Sequence, residues 1–277
     1  MSTSSKPVIL RRSEEFKKTC GISRYRRCVL IYQLDNAIYY ALSKVRYRSD
    51  AEVKLEDLYD VVMIEVPHYR PEFPSHFTQA SNPLLAGWYI KEPTLVRFDP
   101  SEPAWIGERV LFEARANEVL ITHPHRNIAK YHGCRVQNGL ITGICYDKYH
   151  ESLMQRVNPG SHSKGRLHLN KTKPLNVNLM LESVRNGLAH LHSLGFAHNN
   201  INPSNIMFFN EDSDEAVIIG LGSCRAIGSP LNDYLVRMEG WYDKKADTSL
   251  PSNDLDALDE IAEWLSDKPE KNFQLAG

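Results

Sequence analysis

The stretch His198-Asn199-Asn200-Ile201-Asn202-Pro203-Ser204-Asn205-Ile206-Met207 decides how this chain is read. Four of its ten residues are asparagine. An amide has the size of a carboxylate but neither its charge nor its basicity. Pro203 fixes its own φ and stiffens the loop. Upstream, Val177, Met180, Leu181, Val184, Leu188 and Leu191 recur at steps of three and four, which predicts an amphipathic helix. Gly195 marks its end. Downstream, the apolar runs Ile206-Met207-Phe208-Phe209 and Ala216-Val217-Ile218-Ile219 flank the acidic stretch from Asn210 to Glu215. That pattern predicts a hairpin with a solvated turn. Gly220 follows, and no carboxylate stands within four residues of it on either side. The order is helix, loop, hairpin, glycine.

Further upstream, Gly87-Trp88-Tyr89-Ile90-Lys91 reads as a strand ending in a lysine. Leu111-Phe112-Glu113-Ala114-Arg115-Ala116-Asn117-Glu118 is a good helix former. The run His123-Pro124-His125-Arg126-Asn127-Ile128-Ala129-Lys130-Tyr131-His132-Gly133-Cys134 carries three histidines and a cysteine, whose spacing matches no closed four-ligand zinc pattern. Leu140 to Tyr149 predicts another strand. Cys28 to Tyr32 and Val61 to Val66 also read as strands, and Asp35 to Ser43 as a short helix. Between Arg11 and Cys28 seven basic and two acidic residues predict a solvated helix, with a docking surface for an acidic partner as the alternative.

Together these segments resemble a group of short fungal protein-kinase-like proteins. Members read approximately Y-I-K-x-P, E-A-R, H-P-H-P-N-I-V-x-Y-H-G-C, H-N-D-L-N-P-S-N-I-M and I-I-D-F-G-S-C-R. This chain has Tyr89-Ile90-Lys91-Glu92-Pro93, Glu113-Ala114-Arg115, the run from His123 to Cys134, His198 to Met207, and Ile218 to Arg225. The likeness covers about residues 85 to 265. Kinases at large carry H-R-D-L-x-x-x-N and D-F-G in the last two places. Both acids are replaced here, by Asn200 and Gly220.

The resemblance implies an α+β, two-lobed protein-kinase-like fold. Residues 1–27 would be an N-terminal extension and 28–149 a β-rich N-lobe. Residues 150–277 would be a mainly helical C-lobe, truncated after the helix near 254–265. In such a fold Asn200 stands at the degenerate position of the catalytic base. His198 is the structural histidine of the loop, and Asn202 stands where kinases at large have lysine. Lys91 and Glu113 would pair beside a nucleotide, with Glu118 the rival for the helix role and Arg97 for the strand role. Asn205 keeps the second metal-ligand position, and Gly220 has lost the first. Tyr146 would be a bulky gatekeeper, Asp147 a hinge acid, and Asp254 either an anchor of the loop backbone or a helix N-cap. Gly240-Trp241-Tyr242-Asp243 would close the activation segment, with no A-P-E after it. No G-x-G-x-x-G loop precedes Lys91.

The cofactor implied is ATP, while the missing carboxylates argue against Mg2+. The expected function is that of a pseudokinase: a phosphotransferase fold, dead or severely impaired, that binds and regulates a protein partner and keeps a nucleotide. One alternative is an active, atypical ATP-dependent protein or small-molecule kinase, which needs a remote carboxylate such as Asp147 or Asp243. The other is a pocket filled by Tyr146 and Leu221. A net charge of −1 gives no field for nucleic acid or membrane. Five cysteines, an odd number, suggest a reducing compartment. With no signal peptide or membrane span in the sequence, a cytoplasmic or nuclear location is expected.

Overall fold

The computed structural model describes residues 6–19, 22–95, 98–160, 162–167, 173–231, 235–266, 268 and 272–275. The chain is mixed, with helices and antiparallel sheets, and divides into two compact units. The first holds residues 1–72 and 92–110, the second 73–91 and 111–277.

In the first unit, β1 (Val8–Thr19), β2 (Ile22–Leu34), β3 (Ala37–Ser43) and β4 (Leu58–Ile64) form one antiparallel meander in that order. Successive residues of a strand point to opposite faces. Ile31, Tyr40 and Leu42 therefore join Ile64, Tyr69, Phe98 and Ile106 on one side. Cys28 and Leu30 join Tyr47 on the other. Both faces are covered at the centre of the sheet, in β2 and β3, while Val8 and Leu10 of β1 and Val61 and Met63 of β4 stay exposed.

Two sequence expectations are corrected here. The basic stretch from Arg11 to Cys28 is a hairpin, not a helix, and runs across the boundary drawn at residue 27. Two of its arginines are paired: Arg27 Nε lies 2.6 Å from Glu15 Oε2, directly opposite, and Arg12 Nε lies 2.8 Å from Asp50 Oδ1, in the turn after β3. Asp35 to Ser43 is likewise no helix. Asp35, at φ 54, begins a two-residue turn, and β3 pairs back on β2. The branched and aromatic run Ile38-Tyr39-Tyr40 suits a half-buried pleat. Tyr39 stacks on its partner Tyr32 with ring centroids 5.3 Å apart. The strand expected at Val61 to Val66 runs instead from Leu58 to Ile64, and Val66 opens a 3-10 turn.

In the second unit β5 (Trp88–Lys91) pairs with β7 (Leu140–Asp147), which pairs with β6 (Tyr131–Gln137). The helix α1 (Trp105–Thr122) enters this unit at Leu111. Beyond β7 come the short helix α2 (Leu153–Val157) and the long helix α3 (Val177–Ser193). Asn176 caps α3, its side chain accepting from Leu179 N–H at 3.1 Å. Met180, Val184, Leu188 and Leu191 of α3 are buried, as the periodicity predicts. Strands β8 (Phe196–Ala197), β9 (Ile206–Phe208), β10 (Ala216–Ile218) and β11 (Arg225–Ala226) follow. β9 and β10 form the expected hairpin, and α4 (Pro251–Trp264) packs Leu258, Ile261 and Trp264 against α3.

Gly187 sets the closeness of this packing. A β-carbon there would lie 2.8 Å from Asn127 O and 2.9 Å from Ile218 Cδ1. The gap admits the segment at Asn127, which hydrogen-bonds along β10: Asn127 Nδ2 donates to Ala216 O, and Asn127 O accepts from Ile218 N–H, both at 2.8 Å. None of the described helices is long and apolar enough to cross a membrane.

Candidate functional site

One cavity of about 410 Å3 in the second unit gathers six of the residues singled out in the sequence: Lys91, Glu113, Tyr146, Asp147, Asn205 and Gly220. Tyr89, Tyr149, Met207 and Ile219 add apolar wall. Lys91 ends β5 and Glu113 stands on α1, and Lys91 Nζ meets both carboxylate oxygens at 2.7 and 2.8 Å. Glu113 is 4% exposed and takes a second donor, the Tyr146 hydroxyl, at 2.9 Å. Asn117, one helical turn on, donates to that hydroxyl at 2.7 Å and to Glu113 O at 2.8 Å. Burial, then the Glu113 charge, holds the Tyr146 phenol well above its ordinary range. Tyr146 therefore closes one wall and fixes α1.

Glu118, the rival of Glu113, is engaged elsewhere. It accepts from Thr78 N–H and Oγ1–H at 2.8 Å and from the Tyr131 hydroxyl at 2.7 Å. Arg97 lies outside the described residues. Asp147 is held by His132 Nε2 at 2.7 Å, and His132 in turn stacks on Trp88. His125 stacks on His190, and His123 Nδ1 sits 3.0 Å from Thr122 Oγ1, so the histidines of that segment serve separate contacts. Leu221 is turned into an apolar cluster with Ala116, Leu120 and Leu191, and lies outside the cavity lining.

The asparagine loop lies beside the cavity and is satisfied from within. Asn200 Oδ1 accepts from Met238 N–H at 2.9 Å and from Asn202 Nδ2 at 3.1 Å. Asn200 O accepts from Asn202 Nδ2 and Asn205 Nδ2, both at 2.9 Å. Asn202 Oδ1 accepts from Ser204 N–H at 2.9 Å. An oxygen has two lone pairs, so the Asn200 amide oxygen has its full complement of donors. Gly220 sits at φ 80, ψ 49, in the left-handed region. A β-carbon there would come within 2.7 Å of Asn205 Oδ1. The side chain of Asn205 thus fills the space that an acid at position 220 would need.

Fully buried Asp254 holds the loop backbone. Its carboxylate accepts from His198 N–H and Asn199 N–H at 2.7 Å, and from His192 Nε2 at 2.8 Å. The N-cap of α4 is Leu250, so Asp254 spends its side chain on the loop and not on its own helix. His198 Nε2 lies 2.9 Å from Ile219 O, which can only accept, while its Nδ1 accepts from Asn200 N–H at 3.2 Å. The ring is thereby fixed as the neutral Nε2–H tautomer. Asp243, offered as a remote acid, accepts from Lys245 N–H at 2.9 Å in a turn.

Mg2+ at a nucleotide takes one or two carboxylates besides phosphate. Among the described residues, the side chain that a β-carbon at Gly220 would meet is the Asn205 amide, not a carboxylate. Glu113 is held by Lys91 and Tyr146, and Asp147 by His132. The donor set does not fit Mg2+. The cavity volume lies within the range of about 300–1,000 Å3 common for small-molecule sites, and Lys91 and Lys148 are the lysines of its lining.

Burial pushes His198 below the ordinary imidazole value, and burial with the charges of His190 and Arg126 does the same for His125. Both are neutral when folded, and both gain a proton on unfolding below the ordinary value of about 6.5. The stability they support is present above that value and is lost as pH falls through it. Unfolding free energy is expected to drop from pH 7 to pH 5, mainly through sealed His198, with the partly exposed and solvent-screened His125 adding less. Urea titrations at half-unit steps measure it, and a flat profile would contradict the assignment.

Sequence reasoning left Asn117, Asn127 and Arg156 without roles. Asn117 could have been found, since four residues along a helix brings it onto the face of Glu113. Arg156 had no local signal. It is 4% exposed and collects Glu151, Asp214 and the carbonyls of residues 210, 211 and 213. The acidic stretch expected to be merely solvated is therefore tied down by a buried guanidinium.

A scan against models of known protein families finds no match, and a search of curated proteins finds none significantly similar to this chain.

Proposed function

We propose that this chain is a protein-kinase-like protein of the short fungal type that has given up phosphotransfer and works as a binding and regulatory module. Its two-lobed kinase-like organisation is part of this reading. Support comes from the series of a lysine-bearing strand, a glutamate-bearing helix and a hinge strand, followed by a helix, a loop and a hairpin. A single observation carries the loss of chemistry: both positions where an acid is needed are spent on amide contacts. Asn200 Oδ1 is saturated, and the Asn205 side chain stands in the way at Gly220. A missing base costs about 10²- to 10⁴-fold on its own, and a missing metal ligand weakens what is usually the largest contribution. The cavity is read as taking ATP or a smaller nucleotide without metal, and a protein partner as reading the result.

Thermal unfolding with ATP, with and without Mg2+ or EDTA, tests the binding half. At a hundredfold excess over Kd the ligand adds about 2.7 kcal/mol, so the melting point is expected to rise by several degrees and to ignore the metal. The absence of any rise would remove nucleotide from the reading. Turnover assays test the other half. Wild type is expected at background. Asn200→Asp is expected to fold as wild type does, because a carboxylate accepts the same two hydrogen bonds. Gly220→Asp is expected to lose about 1–3 kcal/mol, since Asn205 must give way. Metal-dependent turnover by wild type that vanishes with Lys91→Met would overturn the proposal in favour of an active kinase.

A further inference from the structure

A second cavity, of about 380 Å3, lies in the same unit, formed by the end of α1, the segment after it, and Phe209 beyond β9. Its size falls within the range of about 300–1,000 Å3 common for small-molecule sites. Leu120, Pro124, Ile128 and Phe209 give it an apolar wall. Three lining residues carry donors that nothing uses. The Lys130 ammonium is exposed and has no ion-pair or hydrogen-bond partner among the described residues. The Tyr149 hydroxyl accepts from Lys130 N–H at 3.0 Å, which leaves its own proton to give. His125 Nδ1 accepts from Asn127 N–H at 3.2 Å, so Nε2 carries the proton of the neutral ring. Neither proton finds an acceptor among the described residues. The other charges of the lining are engaged: Arg126 pairs with Glu215, and Asp147 with His132.

An apolar wall with one unpaired cation and two unspent neutral donors is complementary to a ligand with an apolar body and a single negative charge. We propose that this cavity binds an apolar monocarboxylate, its body against Leu120, Ile128 and Phe209 and its carboxylate on Lys130, with Tyr149 and His125 as further donors. Charge-assisted hydrogen bonds to a carboxylate are stronger than neutral ones, so the acid is preferred to an alcohol of the same shape. The two cavities share Ala129, Asp147 and Tyr149 in their linings, but the inference requires no nucleotide in the first.

Calorimetric titration of the full chain with 4-phenylbutyrate, 4-phenylbutanol and 4-phenylbutylamine tests it. The acid is expected to bind at least about tenfold more tightly than the alcohol, and the amine more weakly than either. Lys130→Gln is expected to cost the acid at least about fivefold and to leave the alcohol unchanged. Because Lys130 is exposed, this variant keeps the fold. Lys91→Met, in the first cavity, is expected to leave the acid's affinity unchanged. No binding of the acid, equal binding of acid and alcohol, or an acid affinity that falls with Lys91→Met and not with Lys130→Gln would each overturn the proposal.

Discussion

Asp254→Ala is expected to remove about 3–5 kcal/mol of folding free energy. The carboxylate is fully buried and accepts three hydrogen bonds, two of them from consecutive backbone N–H groups of the loop. Each buried donor left without a partner costs about 1–3 kcal/mol. Asn199, at φ 59, depends on the same hold, since a non-glycine residue rests in that conformation only when its surroundings over-determine it. Its side chain helps, donating to Ala197 O and Ser249 Oγ at 2.9 Å, but these bonds alone do not orient the peptide. Asp254→Asn keeps the shape and one accepting oxygen, and turns an NH2 group toward donors. It is expected to lose roughly 2 kcal/mol. Urea unfolding of both variants measures the difference. A loss below about 1 kcal/mol for alanine would mean that the loop is held by other contacts.

Arg156→Met is expected to cost about 3 kcal/mol. The guanidinium stacks on Phe208, 3.6 Å from the ring centroid, while its nitrogens reach Glu151 Oε1 at 2.8 Å and Ser213 O at 2.9 Å. Methionine keeps the stem and its packing but leaves the carbonyls of the turn without donors. The partners at the turn are partly exposed, so water replaces some of what is lost, which keeps the cost below that of a sealed ion pair. Arg156→Lys is expected to recover little, because an ammonium is a point and cannot fork to several acceptors. Hydrogen exchange across residues 210–215 should accelerate in both variants. Unchanged exchange there would separate Arg156 from the order of the turn.

The parts of this fold that could be read from the sequence are those where one period rules. Helix α3 has a single buried stripe, and its residues from Val177 to Leu191 announce it. The β9–β10 hairpin shows as two apolar runs about a polar turn. Lys91 and Glu113 were placed by their neighbours rather than by themselves, and they meet at 2.7 Å. The first unit was legible only in part: Cys28 to Tyr32 read as a strand and lies in β2, and Val61 to Val66 overlaps β4, whereas β1 and β3 were missed. In the β1–β2 hairpin Glu15 and Arg27 are cross-strand partners, while Arg12 reaches Asp50 and Glu14 reaches Arg46 beyond the hairpin, relations invisible without the register. The role of Arg156 was out of reach for a similar reason, since its acceptors in the turn stand more than fifty residues away. Asn200 and Gly220 could be seen as substitutions, but that Asn205 fills the place of the missing acid at Gly220 is a fact of packing alone.

The loop built from Asn199, Asn200, Asn202 and Asn205 has a bearing on the solution conditions under which the protein keeps its shape. Salt screens attraction between exposed charges and leaves neutral amide contacts almost untouched. An aspartate loop would change its internal forces with ionic strength and again on taking up a proton. Four amides do neither. Ions and mild acid thus have no handle on these four side chains, and mild acid reaches the loop through His198.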